Sequence, residues 1–291
     1  MSEVVYLNGL LLPKEKACLS VDDYGFLSGA GLFETMRAYN GRIFRLERHI
    51  NRLMASASLL GLAEKLDRDE LAKACRETLR ANKLVEARVR LTVSMGDAGA
   101  FPGRVTSPTR LITASPHKPP PAEKYGKGFR ACVAAFRQYS GAALAGIKST
   151  GYLPNLLARR YAEESGCDEA IFLNENGHIT EGSISNILFV DAEGNLVTPP
   201  LGSGPLPGVT RQVILELAAR MGVETSEALV GLEDLSRFKE ALLTNSVAEV
   251  MPLVAIAAGE RAFTIGSGSP GKVTGRLMAA YRDLVREETG G

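Results

Sequence analysis

A run of three prolines, Pro119 to Pro121, divides this chain of 291 residues into two parts. Proline fixes φ and removes a backbone donor, so the run forms a stiff connector that neither a helix nor a central strand continues through. The chain is also long for one ordinary hydrophobic core. We therefore predict a first domain over residues 1–115, a linker over residues 116–127 and a second domain over residues 128–291.

The first part mixes strand and helix patterns, which is typical of an α+β domain. Asn-Gly pairs between apolar runs indicate hairpins, and apolar residues at helical spacing indicate amphipathic helices. The predicted elements are a hairpin over residues 4–12 around Asn8-Gly9, a hairpin over residues 32–46 around Asn40-Gly41, a helix over residues 50–60 ended by Gly61, a helix over residues 69–82 capped by Asp67, and strands over residues 89–94 and 111–114.

The second part shows the same mixture, and no internal repeat is present in the sequence. The predicted strands cover residues 129–136, 169–173, 184–190 and 241–245. The predicted helices cover residues 153–165, 209–221 and 272–287, and Pro154 suits the first turn of the first of them. A loop rich in proline and glycine over residues 199–208 precedes the middle helix.

Composition argues against several classes of function. The net charge is +1, which argues against a generally basic nucleic-acid binder. The four cysteines are far apart, so we expect neither a zinc site nor a disulfide framework, and no metal. The sequence shows no signal peptide pattern and no run of 18 apolar residues, so we expect a cytoplasmic protein that does not bind a membrane.

Lys148 follows a segment that carries no charge. Residues 142–147 are small or apolar, whereas most lysines are solvated surface charges. Desolvation turns a lysine into a usable nucleophile and base. The pattern alone remains compatible with a surface lysine.

Glu181 is the second candidate, since it stands before Gly182, Ser183 and an apolar strand. A lysine and an acid are the two groups that an enzyme needs to hold pyridoxal phosphate. The lysine forms a Schiff base, and the carboxylate keeps the pyridine nitrogen protonated so that the ring accepts electrons. An acid in an ordinary turn at a strand edge would show the same pattern.

Two stretches are suited to phosphate. Residues 206–210 lead directly into a helix, whose exposed amides can bind an anion with help from the Thr210 hydroxyl. Residues 244–249 run from a strand into a polar turn, and Arg52, one helical turn after His49, can supply a countercharge. The alternatives are an ordinary helix start and a solvated helix arginine.

The order of these pieces resembles the class IV aminotransferase family, the fold-type IV pyridoxal-phosphate enzymes. The resemblance covers nearly the whole chain, from Tyr6-Leu7-Asn8-Gly9 to the last helix. Five motifs carry it: His49-x-x-Arg52-Leu53, Lys148-Ser149-x-x-Tyr152-Leu153, Glu181-Gly182-Ser183-x-Ser185-Asn186, Leu206-x-Gly208-Val209-Thr210-Arg211 and Thr244-Asn245-Ser246-x-x-Glu249-x-x-Pro252.

The resemblance implies a fold and a set of roles. The fold is α+β and D-amino-acid aminotransferase-like, with a small α+β domain, a larger β-barrel-like α+β domain and the cofactor between them. Such enzymes usually work as homodimers in which the partner's small domain completes each site. Lys148 would be the catalytic Schiff-base lysine, Glu181 would hold the pyridine nitrogen, and Tyr152 would reach the ring hydroxyl. The phosphate would be bound by Arg52, Val209, Thr210, Ser246 and Val247.

The family contains more than one activity on small amino substrates. Phe33-x-Thr35-x-Arg37 and Thr244-Asn245-Ser246 are similar to aminodeoxychorismate lyases, which eliminate pyruvate and release 4-aminobenzoate for folate synthesis. Branched-chain transaminases tend to have glycine in place of Thr35, and Gly-Thr at Asn245-Ser246. The segment over residues 95–101 lacks both the Arg-x-His carboxylate trap of D-amino-acid transaminases and the arginine- and glycine-rich loop of some lyases.

We therefore expect a lyase and keep two alternatives open. The first is a branched-chain or D-amino-acid transaminase, and the second is a non-catalytic relative that only binds the cofactor or a ligand. Arg37 is the candidate for holding a substrate carboxylate, and Phe33 and Phe101 are candidates for lining the substrate cavity. Alternatively, Arg37 is a strand arginine that faces solvent, and the two phenylalanines pack in the core.

Overall fold

The computed structural model describes residues 3–97 and 107–291 and contains two compact units. The first unit comprises Met1–Lys118, Ile147–Tyr152 and Val285–Gly291, and the second comprises Pro119–Gly146 and Leu153–Leu284. The first break falls inside the predicted linker. The units are not the contiguous ranges that the sequence suggests, because two later segments of the chain return to the first unit.

The first unit is built on a six-stranded antiparallel sheet with the order β2-β1-β6-β5-β3-β4. Helix α2 packs on β3, and helix α3 packs on β1, β5 and β6. The elements are β1 (Val4–Leu7), β2 (Leu10–Pro13), α1 (Tyr24–Ser28), β3 (Gly31–Tyr39), β4 (Arg42–Ile43), α2 (Leu46–Leu59), α3 (Arg68–Ala81), β5 (Ala87–Ser94) and β6 (Thr109–Pro116).

The alternation of β3 and β5 separates the two faces of this sheet. Successive strand residues point to opposite faces, so every second residue joins the core under α2 and α3. The core-facing residues include Leu32, Met36, Ala38, Val89, Leu91 and Val93. The opposite face carries a different set, in which aromatic, hydroxyl and guanidinium groups lie side by side: Phe33, Thr35, Arg37, Arg88, Arg90 and Thr92.

The second unit contains a closed barrel. Strands pair in the order β10-β13-β14-β7-β8-β9, and β9 pairs back to β10 between Glu181 and Asn186, which closes a ring of six strands. Strands β11 and β12 extend the sheet from β10, and β15 pairs with β14. The strands are β7 (Phe129–Val133), β8 (Glu169–Leu173), β9 (Ile179–Gly182), β10 (Asn186–Val190), β11 (Leu196–Thr198), β12 (Thr225–Glu227), β13 (Glu240–Asn245), β14 (Glu249–Ala258) and β15 (Arg261–Thr264).

Four α-helices lie in the described chain after residue 118, and the end of the last one belongs to the first unit: α4 (Ala122–Lys127), α5 (Leu153–Glu164), α6 (Val209–Arg220) and α7 (Lys272–Thr289). Helix α5 packs on β8, and α6 packs on β13. Buried aliphatic and aromatic side chains, among them Ile171, Ile187, Phe189 and Leu243, form the main core. The α+β fold with a barrel-like larger unit is confirmed.

Local signals predicted most elements of the first unit. Asn8 and Asn40 have φ of 49°, and the glycine after each also has positive φ, as a two-residue hairpin turn requires. Asp67 Oδ1 accepts a hydrogen bond from the Glu70 amide at 2.7 Å, so the predicted cap of α3 is confirmed.

The structure differs from the sequence prediction at several points, including the ends of other strands and helices. Strand β4 ends at Ile43 rather than at residue 46, because α2 already begins at Leu46. Residues 183–185 form a turn, so β10 begins at Asn186, and β9 precedes the turn. The stiff connector contains a helix, α4, directly after its last proline. The long strand β14 escaped prediction because Pro252 interrupts its pattern.

Among residues 3–97 and 107–291, no helix is long and apolar enough to cross a membrane. Within the same described ranges, no group of three or more histidine, cysteine or acidic side chains is placed to hold a metal ion.

Candidate functional site

The segment that carries Lys148 runs along the start of β3 in the first unit. The Phe33 amide donates to the Lys148 carbonyl at 3.0 Å, and the Thr150 amide donates to the Gly31 carbonyl at 2.8 Å. Gly31 is required for this approach, since a Cβ there would lie 2.9 Å from Thr150 Oγ1 and 2.8 Å from the Val93 carbonyl. The backbone around Lys148 is therefore held by β3.

The amine of Lys148 lies against aromatic rings. Its Nζ is 4.6 Å from the centre of the Phe33 ring and 5.5 Å from the centre of the Tyr152 ring. The two rings meet edge to face, with centres 5.1 Å apart. The structure thus brings together three residues that the sequence assigned separately to catalysis, cofactor and substrate.

Arg90 is a candidate that sequence reasoning missed. Its guanidinium lies 3.9 Å from the centre of the Phe33 ring, and its Nε donates to Thr92 Oγ1 at 3.2 Å. Burial, and then the nearby Arg88 charge, lower the pKa of Arg90. The signal was present in the alternation Arg88-x-Arg90-x-Thr92, which puts two arginines on one face of a strand.

Arg37 lies on the same sheet face and makes different contacts. Its guanidinium carbon is 4.2 Å from the centre of the Tyr39 ring, and its Nη2 is 3.6 Å from Glu86 Oε2. Arg90 is thus an arginine that contacts the ring beside Lys148. A substrate role for Arg37 stays a prediction, and the third substrate candidate, Phe101, lies outside the described residues.

Arg52 is anchored by a buried carboxylate. Its Nε donates to Glu34 Oε1 at 2.8 Å and its Nη2 to Glu34 Oε2 at 2.6 Å, which is the two-pronged geometry that suits a guanidinium. His49, from the preceding turn of α2, lies 2.7 Å from Glu34 Oε2 through Nδ1. Glu34 and His49 are each only 1% exposed. The sequence pointed to Arg52 and missed the two groups that hold it.

Electrostatics in this cluster favour an ionised Glu34. Burial by itself would raise the pKa of Glu34, but the Arg52 charge and the hydrogen bond from His49 outweigh burial and lower the pKa to about 2. Burial lowers the pKa of His49 despite the Glu34 charge. A neutral His49 therefore donates its Nδ1 proton to a charged carboxylate, while Arg52 carries the positive charge.

Glu181 lies at the closure of the barrel in the second unit. Its Oε2 accepts from the Leu206 amide at 3.0 Å and from Asn186 Nδ2 at 3.4 Å. The Asn186 amide group also donates to the Leu206 carbonyl at 2.8 Å. The Glu181 carboxylate is thereby tied to the loop that leads into α6.

The N-terminus of α6 offers backbone donors to an anion. Its N-cap is Gly208, and no side chain caps the first turn, which begins with Val209 and Thr210. Thr210 Oγ1 lies 3.5 Å from Ser246 Oγ in the turn after β13. The Val247 amide donates to Asn245 Oδ1 at 2.9 Å, so Asn245 shapes this turn.

Both units fit a phosphorylated pyridine compound, each with its own groups. The second unit supplies helix amides, two neighbouring hydroxyl groups and a carboxylate suited to a pyridinium nitrogen. The first unit supplies a lysine amine beside two aromatic rings and an arginine held in place by Glu34. These are the groups that bind an anionic phosphate and a reactive aldehyde.

Gly208 leaves no room for a side chain. A Cβ at this position would overlap the side-chain oxygen of Asn186. The side-chain nitrogen of the same residue donates to Glu181. We expect Gly208→Ala to raise the dissociation constant of pyridoxal phosphate by about tenfold, equal to about 1.4 kcal/mol, because Asn186 and the first amides of α6 must shift. Titration of the apoprotein with the cofactor measures this change.

Gly202→Ala is the matched control for that variant. Within the described part of the chain, no heavy atom other than those of its chain neighbours lies within 4 Å of a Cβ at Gly202, in the same loop. Its cofactor affinity should equal that of the unchanged protein. Equal affinities for all three proteins would contradict the assignment of a phosphate site to the start of α6.

Comparison with known proteins gives a consistent family. Residues 31–256 match the model for "Amino-transferase class IV". A putative branched-chain-amino-acid aminotransferase from Methanocaldococcus jannaschii is 36% identical over 96% of each chain. The aminodeoxychorismate lyase of Bacillus subtilis is 35% identical over 97% of this chain and 95% of its own. The crystal structure of the Escherichia coli branched-chain amino acid aminotransferase superposes with a TM-score of 0.89 at 30% identity, covering 98% of this chain and 95% of that chain.

The family model covers more than half of the chain, and both of these relatives are more than 30% identical along nearly their whole length. This chain therefore belongs to the class IV aminotransferases, a family of enzymes that use pyridoxal phosphate.

Proposed function

We propose that Lys148 carries the cofactor covalently and is the group that moves the substrate proton. Bound pyridoxal phosphate supplies a ring that accepts the electrons left behind when a proton leaves the amine-bearing carbon. The contact of Lys148 Nζ with the Phe33 and Tyr152 rings supports this role, because aromatic walls limit water around the amine.

In this proposal, the predicted cofactor-binding residues other than Lys148 hold and orient pyridoxal phosphate. Glu181 holds the proton of the pyridine nitrogen. Arg52 binds the phosphate through its guanidinium group. Backbone amides and hydroxyl groups bind it from Val209, Thr210, Ser246 and Val247. Tyr152 contacts the ring hydroxyl. The uncapped start of α6 and the anchored guanidinium of Arg52 support the phosphate assignments.

We propose aminodeoxychorismate lyase as the activity, a step of folate synthesis. The observation that carries this choice is Arg90 against the Phe33 ring, on a sheet face that also bears Arg37, Arg88 and Thr35. Pyruvate and 4-aminobenzoate each carry one carboxylate, so the substrate that yields both carries two. A cationic sheet face suits a dianion better than an aliphatic amino-acid side chain.

In the elimination, the protein has two tasks. Lys148 removes the proton from the amine-bearing carbon, and the arginines hold the carboxylates while the bond to the departing pyruvate oxygen breaks. The ring that remains becomes aromatic, which drives the step forward. The similarity to the Bacillus subtilis lyase along nearly the whole chain supports this proposal.

An amino-acid transaminase is the second candidate, because the Methanocaldococcus jannaschii relative and the Escherichia coli structure both carry the name of a branched-chain aminotransferase. In that case the proton taken by Lys148 returns to the cofactor, and a keto acid is released. The presence of both Lys148 and Glu181 argues against the third possibility, a relative that binds without turnover.

One assay separates the first two candidates. The enzyme is loaded with pyridoxal phosphate and given aminodeoxychorismate, and the 4-aminobenzoate and pyruvate that form are measured. The lyase reaction yields the two products in equal amounts. In parallel it is given leucine or D-alanine with 2-oxoglutarate, and glutamate is followed. We expect 4-aminobenzoate formation to dominate. Rapid glutamate formation without 4-aminobenzoate would reject the lyase and establish the transaminase.

Arg90 is expected to determine substrate affinity. Replacing it with glutamine removes a charge-assisted contact worth about 1.5–3 kcal/mol, so KM for aminodeoxychorismate should rise roughly tenfold to a hundredfold. The exposed Arg76 of α3, which pairs with Glu47 and lies outside this sheet face, serves as the control through Arg76→Gln. Similar KM values for Arg90→Gln and the unchanged enzyme would show that Arg90 does not bind the substrate.

We also propose that the protein forms a homodimer. Helix α5 exposes an apolar stripe at helical spacing, formed by Leu153, Leu156, Leu157 and Tyr161, while Ala158 and Ala162 face the core. Exposed apolar patches of this kind mark association surfaces.

Light scattering of the protein as it elutes from a size-exclusion column should give twice the mass of one chain. Introducing charge with Leu156→Lys and Leu157→Lys together should lower the mass to that of one chain, whereas Leu229→Lys, at another exposed leucine of the second unit, should not. A single-chain mass for the unchanged protein would reject the dimer.

A further inference from the structure

Glu169 is a buried acid that the proposed mechanism does not use. It is the first residue of β8 and only 3% exposed. Its carboxylate accepts hydrogen bonds from the Ala170 amide at 2.9 Å, the Ser183 amide at 3.1 Å and Ser185 Oγ at 2.8 Å. The Ser183 hydroxyl and, at 3.4 Å, the Ile184 amide complete the set. All of these donors except the Ala170 amide belong to one turn.

That turn connects β9 to β10 and lies directly after Glu181. Within it, the Gly182 amide donates to the Ser185 carbonyl at 2.6 Å, and Glu181 pairs with Asn186 across the turn. Gly182 has no room for a side chain, since a Cβ would overlap Ser185 Oγ and lie 3.0 Å from the Glu169 carboxyl carbon. The Glu169 carboxylate therefore fills the inside of the turn, and the turn closes around it.

The chemistry of this cluster requires an acceptor with both oxygens available. Backbone amides and serine hydroxyls point toward Glu169 from several directions, and an ionised carboxylate only accepts. Glutamine in its place would turn an NH2 group toward other donors and leave at least one of them unpaired. Loss of the carboxylate would thus open the turn while changing the side-chain volume very little.

From this geometry we infer that Glu169 is a positioning residue for Glu181: it fixes the turn from which the Glu181 carboxylate reaches the Leu206 amide and, in the bound state, the pyridine nitrogen. The inference rests on the role proposed above for Glu181. A misplacement of about 1 Å in such a contact can cost on the order of a hundredfold in rate, so an effect through Glu181 is measurable.

A purely structural role makes a different prediction. It would lower the free energy of unfolding without altering the electronic state of the bound cofactor. The visible absorption band of the cofactor and its dependence on pH report the charge at the pyridine nitrogen, and these readouts separate the two roles.

The experiment compares four variants of the full chain loaded with pyridoxal phosphate. Glu181→Gln is the benchmark. Glu169→Gln and Ser185→Ala test the turn, and Ser185→Ala still reports should Glu169→Gln fail to fold. Thr78→Val is the control, because it removes a buried hydroxyl whose bond to the Ala74 carbonyl, at 2.8 Å, lies within α3 of the first unit. Spectra, pH titrations and urea unfolding are measured on each.

We expect Glu169→Gln and Ser185→Ala to shift the absorption band and its titration in the same direction as Glu181→Gln. We also expect kcat to fall about tenfold or more while KM changes much less. Thr78→Val should lose stability and keep the unchanged spectrum. An unchanged spectrum in both turn variants, beside a shifted Glu181→Gln spectrum, would overturn the role of Glu169 alone. An unchanged Glu181→Gln spectrum would overturn the proposed role of Glu181 and the inference with it.

Discussion

Replacement of Lys148 by alanine is expected to lower kcat by at least about 10⁴-fold, because in the proposed function Lys148 both attaches the cofactor covalently and transfers the proton. The expected loss exceeds that of any other single change in the site. Phe33 and Tyr152, the rings that contact the amine, remain in place, and so do the backbone bonds between this segment and β3. The variant should therefore fold and still bind pyridoxal phosphate without attaching it.

Two measurements check this result. Borohydride reduction of the unchanged protein, followed by peptide mass spectrometry, should place the cofactor on the peptide that contains Lys148. Lys127→Ala is the control, since the ion pair of this exposed lysine joins it to Glu123, one helical turn earlier on α4. Substrate turnover by Lys148→Ala at the rate of the control would refute the whole assignment of the catalytic residue.

Replacement of Glu34 by glutamine is expected to give the largest loss of stability. Glu34 holds Arg52 by two hydrogen bonds and His49 by one, inside a cluster that excludes water. Removing one partner of a buried ion pair leaves the other charge uncompensated and typically costs about 3–5 kcal/mol. Because Arg52 loses its anchor, the affinity for the phosphate group of the cofactor should fall as well.

The pH dependence of this effect has a defined sign. The pKa of Glu34 is lowered from 4.5 to about 2, so the folded state holds the charged form more tightly than the unfolded chain does. The resulting stabilisation, on the order of 3 kcal/mol, is fully present above pH 4.5 and is lost as the pH falls toward 2. The unfolding free energy of the unchanged protein should therefore fall more steeply between pH 5 and pH 3 than that of Glu34→Gln.

Glu70→Gln is the matched control for this measurement. Glu70 also pairs with an arginine, Arg110, at 2.8 Å, but its side chain is 43% exposed. An exposed pair contributes about 1 kcal/mol or less, so this variant should resemble the unchanged protein. Equal losses of unfolding free energy in Glu34→Gln and Glu70→Gln would show that the buried cluster around Arg52 stabilises the fold no more than an exposed ion pair does.

The sequence by itself determined the features that depend on neighbouring residues. The Asn8-Gly9 and Asn40-Gly41 hairpins and the Asp67 cap follow from the conformational preferences of those residues, which act over three or four positions. The order of motifs around Lys148 and Glu181 was sufficient to indicate the cofactor and the family, which the comparisons show. None of these conclusions required knowledge of which strands pair.

Only the tertiary structure decided the features that join residues distant in sequence. Lys148 is held by β3, more than a hundred positions earlier, and Arg90 contacts Phe33 because β3 and β5 pair in one register. Glu169 became visible as a partner of the turn after Glu181 only through the closure of the barrel strands. A buried acid and a surface acid look alike in a sequence, because burial is a property of the packed elements around them.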